Sequence, residues 1–348
     1  MVEIFPNVGR YLITFKLSGT NQGLSFPINV RHSRAKMYIE SLEKMNYFGK
    51  IIVIAYNHWF MNIPSLFQQK QLKPSWSYTT SGVLWRLLFS ETNFIVGEDR
   101  DTEKKQVFFF CLNAANGDVL WRNISFGEPW WIGIEGIAYD KVFLHGFKKP
   151  DMPEHGKIVA VDLGTGRELW KNDDYAFLYA TSDRVMAFRD LFERRLYYEL
   201  NAATGELIQE LKELPADLED KKTTSRNRDN FTFPESLTDA AAEFPIIVPM
   251  IDRYCDRSAI RGQVEYLRSN GKLVFNVHVI HGHDEAKNLD ILQNRLCIID
   301  EASGKQVYAD ILNSSTPAAV PDSFFVDDAT VYYIKDKNTL VAVPLAGR

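Results

Sequence analysis

The sequence predicts an all-β protein, a β-propeller of about five four-stranded blades. Three observations predict it: a turn motif that recurs along the chain, short apolar runs separated by turns, and the absence of long amphipathic helical periodicity. The chain has 348 residues, of which 45% are hydrophobic and 13% aromatic, so a large core can form. The alternative is six blades, if residues 1–60 or 240–262 build a further sheet.

The recurring motif is a hairpin turn that ends in an aromatic residue. Its clearest copies are Asn113-Ala-Ala-Asn-Gly-Asp-Val-Leu-Trp121 and Asp162-Leu-Gly-Thr-Gly-Arg-Glu-Leu-Trp170, and weaker copies begin at Asn201 and Asp300. The opening Asp or Asn can bond its own backbone, and the glycine can adopt a positive φ. We therefore expect a hairpin at each copy, with the aromatic side chain covering the sheet edge.

Two further strands precede each hairpin, which makes four strands per unit. The predicted first strands are 82–89, 130–138, 175–180, 263–267 and 323–327. The predicted second strands begin at Asn93, Lys141, Arg184, Lys272 and Thr330.

The two ends of the repeat region complete each other. The last unit ends at Leu345 without an outer strand, whereas Lys73 to Tyr78, which includes Trp76, resembles an outer strand without an inner partner. Pairing of these two fragments would close the ring and leave no long open sheet edge. The propeller is therefore predicted to span residues 70–345.

Residues 1–69 do not share the repeat and are predicted to be an N-terminal extension. Two interpretations stay open: translation starts at Met61, or the extension is a genuine appendage packed on the main domain. No export signal is seen. The apolar run Ile51–Phe60 is about half as long as a membrane span needs to be.

The repeat is interrupted between the third and fourth units. Residues 212–243 are charged and poor in large apolar groups, so we expect an exposed excursion. The segment Phe244–Ile251 then either returns to the core or adds an extra strand, and its two prolines favour a sheet edge.

The charge balance argues against two classes of partner. The 40 basic and 45 acidic side chains give a net charge of −5, the wrong sign for binding nucleic acid or an anionic membrane. The three cysteines are widely spaced and match no metal signature. These features predict a reduced, cytoplasmic protein with an unknown small polar ligand or protein as its partner.

The turn motif resembles the PQQ-like (quinoprotein-type) β-propeller repeat, most clearly from Asp162 to Trp170. The resemblance covers about residues 70–345 and extends to an uncharacterised bacterial group in which a five-unit propeller stands alone. Quinone-dependent dehydrogenases of the larger family use about eight blades, an adjacent cysteine pair and a calcium-binding set. This chain has no Cys-Cys pair, so the resemblance implies a propeller and weighs against PQQ as its cofactor.

A ligand site is expected on one face of the propeller. This face carries the inner loops, which join the second and third strands of each blade, and the segments between blades. Polar and aromatic side chains that converge on a concave face are what such a site needs. The run from Glu98 to Asp101 could supply paired carboxylates for acid/base chemistry or bind a cation, although a salt-bridged loop is favoured. The predicted ligand-binding residues are Glu98, Asp99, Arg100, Asp101, Trp131, Glu135, His145 and His155.

The sharpest local signal for a divalent metal is the segment His281-Gly-His-Asp284. Strand alternation places His281 and His283 on one side, and Asp284 adds a carboxylate. A third ligand would come from another blade, for example His145, His155 or Glu98. The favoured alternative is a solvated loop that is rich in histidine.

The chain contains no established catalytic motif. The sequence therefore favours a non-enzymatic module that binds a ligand or protein on its inner-loop face. The alternatives are a metal-assisted hydrolase or lyase with a His/carboxylate site on the same face, and a scaffold that uses the 212–243 excursion as a docking arm.

Overall fold

The structure is a computed structural model. It describes residues 2–7, 10–16, 23–28, 71–148, 154–192, 194–213 and 231–346. The chain divides into two compact units, Met1–Gln68 and Gln69–Arg348. Met61 lies outside the described residues, and the domain boundaries drawn from the sequence remain predictions.

The first unit contains a three-stranded antiparallel sheet. Its strands, in spatial order, are β1 (Val2–Asn7), β2 (Arg10–Lys16) and β3 (Gly23–Ile28). Pro6 and Pro27 fall on the two outer strands, where a residue without a backbone N–H is tolerated.

The second unit contains five antiparallel sheets that follow one another along the chain. The first sheet is β5 (Val83–Phe89), β6 (Phe94–Asp101), β7 (Gln106–Asn113) and β8 (Val119–Ile124). The second is β9 (Ile132–Ala138), β10 (Lys141–Phe147), β11 (His155–Asp162) and β12 (Glu168–Asn172). The third is β13 (Ala176–Ala180), β14 (Arg184–Asp190), β15 (Arg195–Asn201) and β16 (Leu207–Leu211).

The fourth sheet has an extra short strand at its inner end, and the fifth takes its last strand from earlier in the chain. The fourth is β17 (Glu235–Ser236), β18 (Ile260–Ser269), β19 (Lys272–Asp284), β20 (Leu289–Asp300) and β21 (Lys305–Thr316). The fifth is β22 (Phe324–Asp327), β23 (Thr330–Lys335), β24 (Thr339–Pro344) and β4 (Trp76–Thr79).

The predicted closure between the two ends of the repeat is confirmed. Strand β4 pairs antiparallel with β24, from Thr79 opposite Thr339 to Trp76 opposite Ala342. Successive four-stranded sheets closed in this way are the arrangement of a β-propeller. The all-β fold is therefore confirmed, with about five sheets, whereas the choice between five and six blades stays a prediction.

Tryptophans fasten neighbouring sheets together. The indole N–H of Trp76 donates to the carbonyl of Ala114 at 3.1 Å, that of Trp121 to Leu163 at 2.8 Å, and that of Trp170 to Ala202 at 2.9 Å. Each acceptor belongs to the hairpin turn of the next sheet. All three indoles are buried in the core.

The junction between the third and fourth sheets is fastened differently. Gln209 stands where the motif has tryptophan, and it is exposed. Tyr254 takes over the role, because its hydroxyl donates to the carbonyl of Gly304 at 2.8 Å and accepts from the N–H of Gln306 at 3.0 Å. The segment inserted between the sheets therefore supplies the missing aromatic side chain.

The segment Phe244–Ile251 is a helix, α1, so the predicted edge strand is wrong. Pro245 lies in the first turn, where its missing N–H costs nothing. Ile247 and Ile251 are four residues apart, share one face and are buried against the fourth sheet. The expected return to the core is thus achieved by a helix. No helix among the described residues has the length and apolar character that crossing a bilayer demands.

Part of the predicted excursion lies along the inner edges of two sheets. Residues 214–230 lie outside the described part of the chain. From there, Thr232 pairs with Val326 of β22, and Glu235 of β17 pairs with Tyr266 of β18. The side chains of Thr232 and Glu235 are exposed, but the backbone of this stretch extends the propeller's inner strands.

Candidate functional site

A β-bulge in β9 aims Glu135 out of the regular ladder. Phe143 lies opposite Gly136 and Leu144 lies opposite Ile134, so Glu135 is the extra residue between them. A bulge of this kind turns a side chain away from its normal direction. Because β9 is the first strand of its sheet, the bulge lies at the inner end of the strand order.

Two histidines meet the carboxylate of Glu135. Oε2 of Glu135 lies 2.8 Å from Nδ1 of His145 and 2.8 Å from Nδ1 of His155. His145 is near the end of β10, and His155 begins β11, on the other side of the connecting loop. Their rings stack with centroids 3.6 Å apart and an interplanar angle of 4°.

The polar atoms of this cluster lie at ion-pair distance, but their hydrogen-bond alignment is poor. Oε2 of Glu135 and Nδ1 of His145 are buried and neither has an aligned hydrogen bond. One ligand atom from each of the three residues lies within 4.8 Å of the others. The 2.8 Å separations match charge-assisted hydrogen bonds. Ligand atoms of a tetrahedral zinc ion at about 2.0–2.2 Å lie about 3.4 Å apart, so these atoms would have to separate by about half an ångström to admit the ion.

The electrostatics favour the forms that ligate metals. Burial alone would raise the pKa of Glu135, but His145, His155 and Arg86 together lower it. Burial, followed by the neighbouring His145, lowers the pKa of His155 despite the opposing effect of Glu135. Near neutral pH the cluster therefore offers an ionised carboxylate and a neutral imidazole at His155, as a metal requires.

A buried ion pair braces the strand that carries Glu135. Oε1 of Glu98 accepts the N–H of Ile134 at 2.6 Å, and its Oε2 accepts from Nε of Arg100 at 2.7 Å. Arg100 also donates to the carbonyls of Trp130 at 2.9 Å and Ile132 at 2.6 Å. Glu98 and Arg100 therefore tie the first sheet to β9 and position its bulge.

Gly133 makes room for this arrangement. A Cβ at this position would lie 3.0 Å from Oε1 of Glu98 and 3.0 Å from Cε1 of His145. The missing side chain lets the brace and the histidine cluster lie next to each other.

The sequence predicts a loop for the run from Glu98 to Asp101, but all four residues belong to β6. The strand continues because Glu98 and Arg100 neutralise each other while buried. Asp99 accepts the N–H groups of Ser81 and Gly82.

Two other residues expected on this face, Asp101 and Trp131, are more exposed than Glu98 and Arg100. Asp101 caps the turn after β6 by accepting from the N–H groups of Glu103 and Lys104. Trp131 is 39% exposed and packs edge-on against Phe147 at 5.8 Å.

The histidine-rich segment lies apart from this cluster. His281 and His283 are exposed near the end of β19. Nδ1 of His283 lies 3.0 Å from Asp290, and Asp284 accepts from the N–H groups of Ala286 and Lys287. Among the described residues these side chains belong to no group of three metal-ligating atoms, so a metal site here stays a prediction.

The sequence predicts Glu135, His145 and His155 as ligand-binding residues, but it does not predict that the three side chains contact one another. His145 and His155 are ten positions apart, which suggests two strands flanking one loop, and that signal was available. The bulge at Glu135 and the gap left by Gly133 carry no recognisable signature.

Comparison with known protein families finds a match to one part of the chain. The model of a domain of unknown function (DUF4905) matches residues 89–170, which hold most of the first two sheets. A search of curated proteins finds no match. The PQQ-like resemblance remains a prediction.

Two solved β-propeller structures match the chain with low sequence identity and low TM-scores. The β-propeller domain of Cps50 (Swd1) from Myceliophteria thermophila is 9% identical, with 76% of this chain and 69% of that chain covered and a TM-score of 0.25. The C-terminal WD40 domain of Sif2 is 8% identical, with coverage of 78% and 82% and a TM-score of 0.26. At such scores the likenesses carry no argument about function.

Proposed function

We propose that this protein is a ligand-binding β-propeller whose binding centre is a divalent metal held by Glu135, His145 and His155. The observation that carries the proposal is the cluster itself: one carboxylate oxygen lies 2.8 Å from two imidazole nitrogens, while its buried atoms have no aligned hydrogen bonds. Two imidazoles and a carboxylate are a donor set that zinc accepts.

The surroundings support a binding role. The cluster is braced by the Glu98–Arg100 pair, which is nine-tenths buried, so its backbone is held before a metal arrives. His155 is partly exposed, with about a third of its side chain accessible. The site can therefore be reached from solvent while Glu135 and His145 lie deeper.

The experiment is metal titration of the untagged, full-length protein after treatment with a chelator. Isothermal titration with Zn²⁺ is expected to show stoichiometric binding. Loss of an outer partner of a metal ligand typically costs about 10–100-fold in affinity. Glu135→Gln and His155→Gln each remove a ligand, so each is expected to weaken binding by at least that factor.

His283→Gln is the matched control, because it removes an exposed imidazole that also lies 3.0 Å from a carboxylate. It should leave the affinity unchanged. Equal zinc binding by the wild type, Glu135→Gln and His155→Gln would overturn the proposal. So would a loss that appears only in His283→Gln, which would move the site to the histidine-rich hairpin.

A metal-assisted hydrolase is the second candidate. The observation that favours it is the number of ligands, since three protein ligands leave a position where a zinc-bound water can be activated. Hydrolysis of p-nitrophenyl acetate by the zinc-loaded protein, abolished in Glu135→Gln, would support it. Zinc binding without such turnover would favour the non-enzymatic module.

A further inference from the structure

A second site lies far along the ring from the histidine cluster, in a cavity between the fourth and fifth sheets. Its volume is about 280 Å³. The apolar part of its wall includes Leu312, Val320, Pro321, Phe325, Tyr332 and Ile334. This volume lies just below the usual range for drug-sized ligands, about 300–1,000 Å³, so the cavity suits a smaller molecule.

The cavity exists because the two sheets differ in height. Strands β19, β20 and β21 have 13, 12 and 12 residues, whereas β23 and β24 have 6 each. The loop after β23 is level with Leu312, since the N–H of Asp336 donates to its carbonyl at 2.8 Å. Strand β21 continues to Thr316, so the fourth sheet projects beyond the fifth and leaves a hollow beside it.

The segment 320–323, here called the roof, lines the cavity and is held in place by buried polar side chains. The N–H of Val320 donates to Nε2 of His278 at 3.2 Å. The two carboxylate oxygens of Glu265 accept from the N–H groups of Asp322 at 2.6 Å and Ser323 at 3.3 Å. Both His278 and Glu265 are buried, so the roof is fixed in place and the cavity is formed in advance of binding.

One wall is also fixed by an amide network. Asn294 is buried, and its Nδ2 donates to Oγ of Ser323 at 3.1 Å. Its Oδ1 accepts from Nδ2 of Asn276. The polar groups of Asn294 thus already have hydrogen-bond partners within the protein, so a ligand must be recognised by other side chains.

Two residues of opposite charge line the cavity, Lys337 and Asp322, and both are exposed to solvent. Within the part of the chain that the structure describes, neither side chain makes an ion pair or a hydrogen bond. Both residues have a positive φ, 66° and 53°, as do other turn residues of the chain such as Asp336.

We propose that this cavity binds a small zwitterion with an apolar body, the chemistry of an apolar α-amino acid. The ammonium of Lys337 takes the ligand's carboxylate, the carboxylate of Asp322 takes its ammonium, and Phe325 and Tyr332 contact its side chain. A purely anionic ligand would face Asp322 unpaired, and a purely cationic one would face Lys337. The inference does not depend on the metal centre.

The test is isothermal titration of the untagged full chain with L-phenylalanine, 3-phenylpropanoate and 2-phenylethylamine. The three compounds share a ring, and the last two each lack one charge. Saturable binding of L-phenylalanine is expected, with each analogue at least about tenfold weaker, since hydrogen bonds to charged groups are the stronger ones.

Variants then assign the charges. Lys337→Gln and Asp322→Asn are each expected to weaken L-phenylalanine binding by about tenfold or more. Lys305→Gln is the matched control, because Lys305 is an exposed lysine in a hairpin on the opposite face. Val320→Trp, at a half-exposed roof position, should abolish binding by filling the hollow, and thermal melts of every variant confirm folding.

Three results would overturn the proposal. They are no saturable binding of L-phenylalanine to the wild type, equal affinity for all three compounds, and equal binding by the wild type, Lys337→Gln and Asp322→Asn.

Discussion

The indole of Trp121 lies so close over Gly166 that a Cβ added to the glycine would approach Cδ2 of the ring to 2.7 Å. The two residues belong to adjacent sheets. Trp170 lies over Gly205 in the same way, with a corresponding distance of 2.6 Å. The glycine of the repeat therefore serves two ends: it forms the turn of its own hairpin and provides the flat surface on which the previous sheet's tryptophan rests.

Replacing Gly166 by alanine should destabilise the protein more than the same change at Gly271. Both glycines have a positive φ, 71° and 68°, so the backbone strain is matched, but a Cβ at Gly271 meets nothing within 4 Å. The overlap with Trp121, together with the 2.6 Å approach to Cδ1 of Ile124, should add about 1–3 kcal/mol to the loss. Urea unfolding of the two variants measures the difference, and equal losses would show that the ring contact does not constrain the turn.

Trp121→Phe should cost stability through one hydrogen bond. The change leaves the carbonyl of Leu163 without the indole N–H that it accepts at 2.8 Å, and a buried group left unsatisfied costs about 1–3 kcal/mol. Trp131→Phe removes an indole from an exposed ring and should stay within about 0.5 kcal/mol of the wild type. Similar melting temperatures for the two variants would contradict this prediction.

Arg100→Met should be among the most damaging single substitutions. It leaves the carboxylate of Glu98, whose side chain is 2% exposed, buried without its cation, and breaking such a pair typically costs about 3–5 kcal/mol. Lys104→Met, which breaks an exposed pair with Asp101, should cause no measurable change. Chemical denaturation compares the two, and a mild effect of Arg100→Met would mean that water reaches Glu98.

Acid should weaken the fourth hairpin turn within a defined pH window. The hydroxyl of Ser303, followed by Lys272 and the N–H of Ser303, lowers the pKa of Asp300 to about 2. Because the unfolded value is about 3.9, the stabilisation is fully present above that pH and is lost as the pH falls toward 2.

Ser303→Ala removes the largest cause of this shift and tests the window. The variant should be less stable than the wild type near neutral pH, and the difference should shrink between pH 4 and 2 as Asp300 is protonated in both proteins. Unfolding curves collected across this range measure it. A difference that is independent of pH would show that the serine acts by packing and not through the carboxylate.

Much of the propeller could be predicted because its elements repeat. Trp121 and Trp170 recur at a constant distance from a turn glycine, so the hairpins, the strand order and the ring closure follow from local pattern. The helix Phe244–Ile251 could not be predicted in this way, because its prolines and its apolar run are compatible with an edge strand and the fourth sheet decides between the two.

The candidate site was predicted as a set of residues but not as a geometry. Glu135, His145 and His155 meet because a bulge displaces one of them and a glycine leaves space beside another. Such features depend on the register between strands, which a single sequence does not record. The dense histidines at 281 and 283 are the stronger pattern in the sequence, yet their side chains are exposed.

The closing strand pair has a consequence for synthesis of the chain. Thr79 of β4 and Thr339 of β24, whose hydroxyls lie 3.0 Å apart, are separated by 260 positions. During translation, β4 is synthesised early, and its edge stays unpaired until its partner β24, near the end of the chain, has left the ribosome. The four earlier sheets can assemble as they emerge, but the fifth forms last and makes the ring a late, slow event of high contact order.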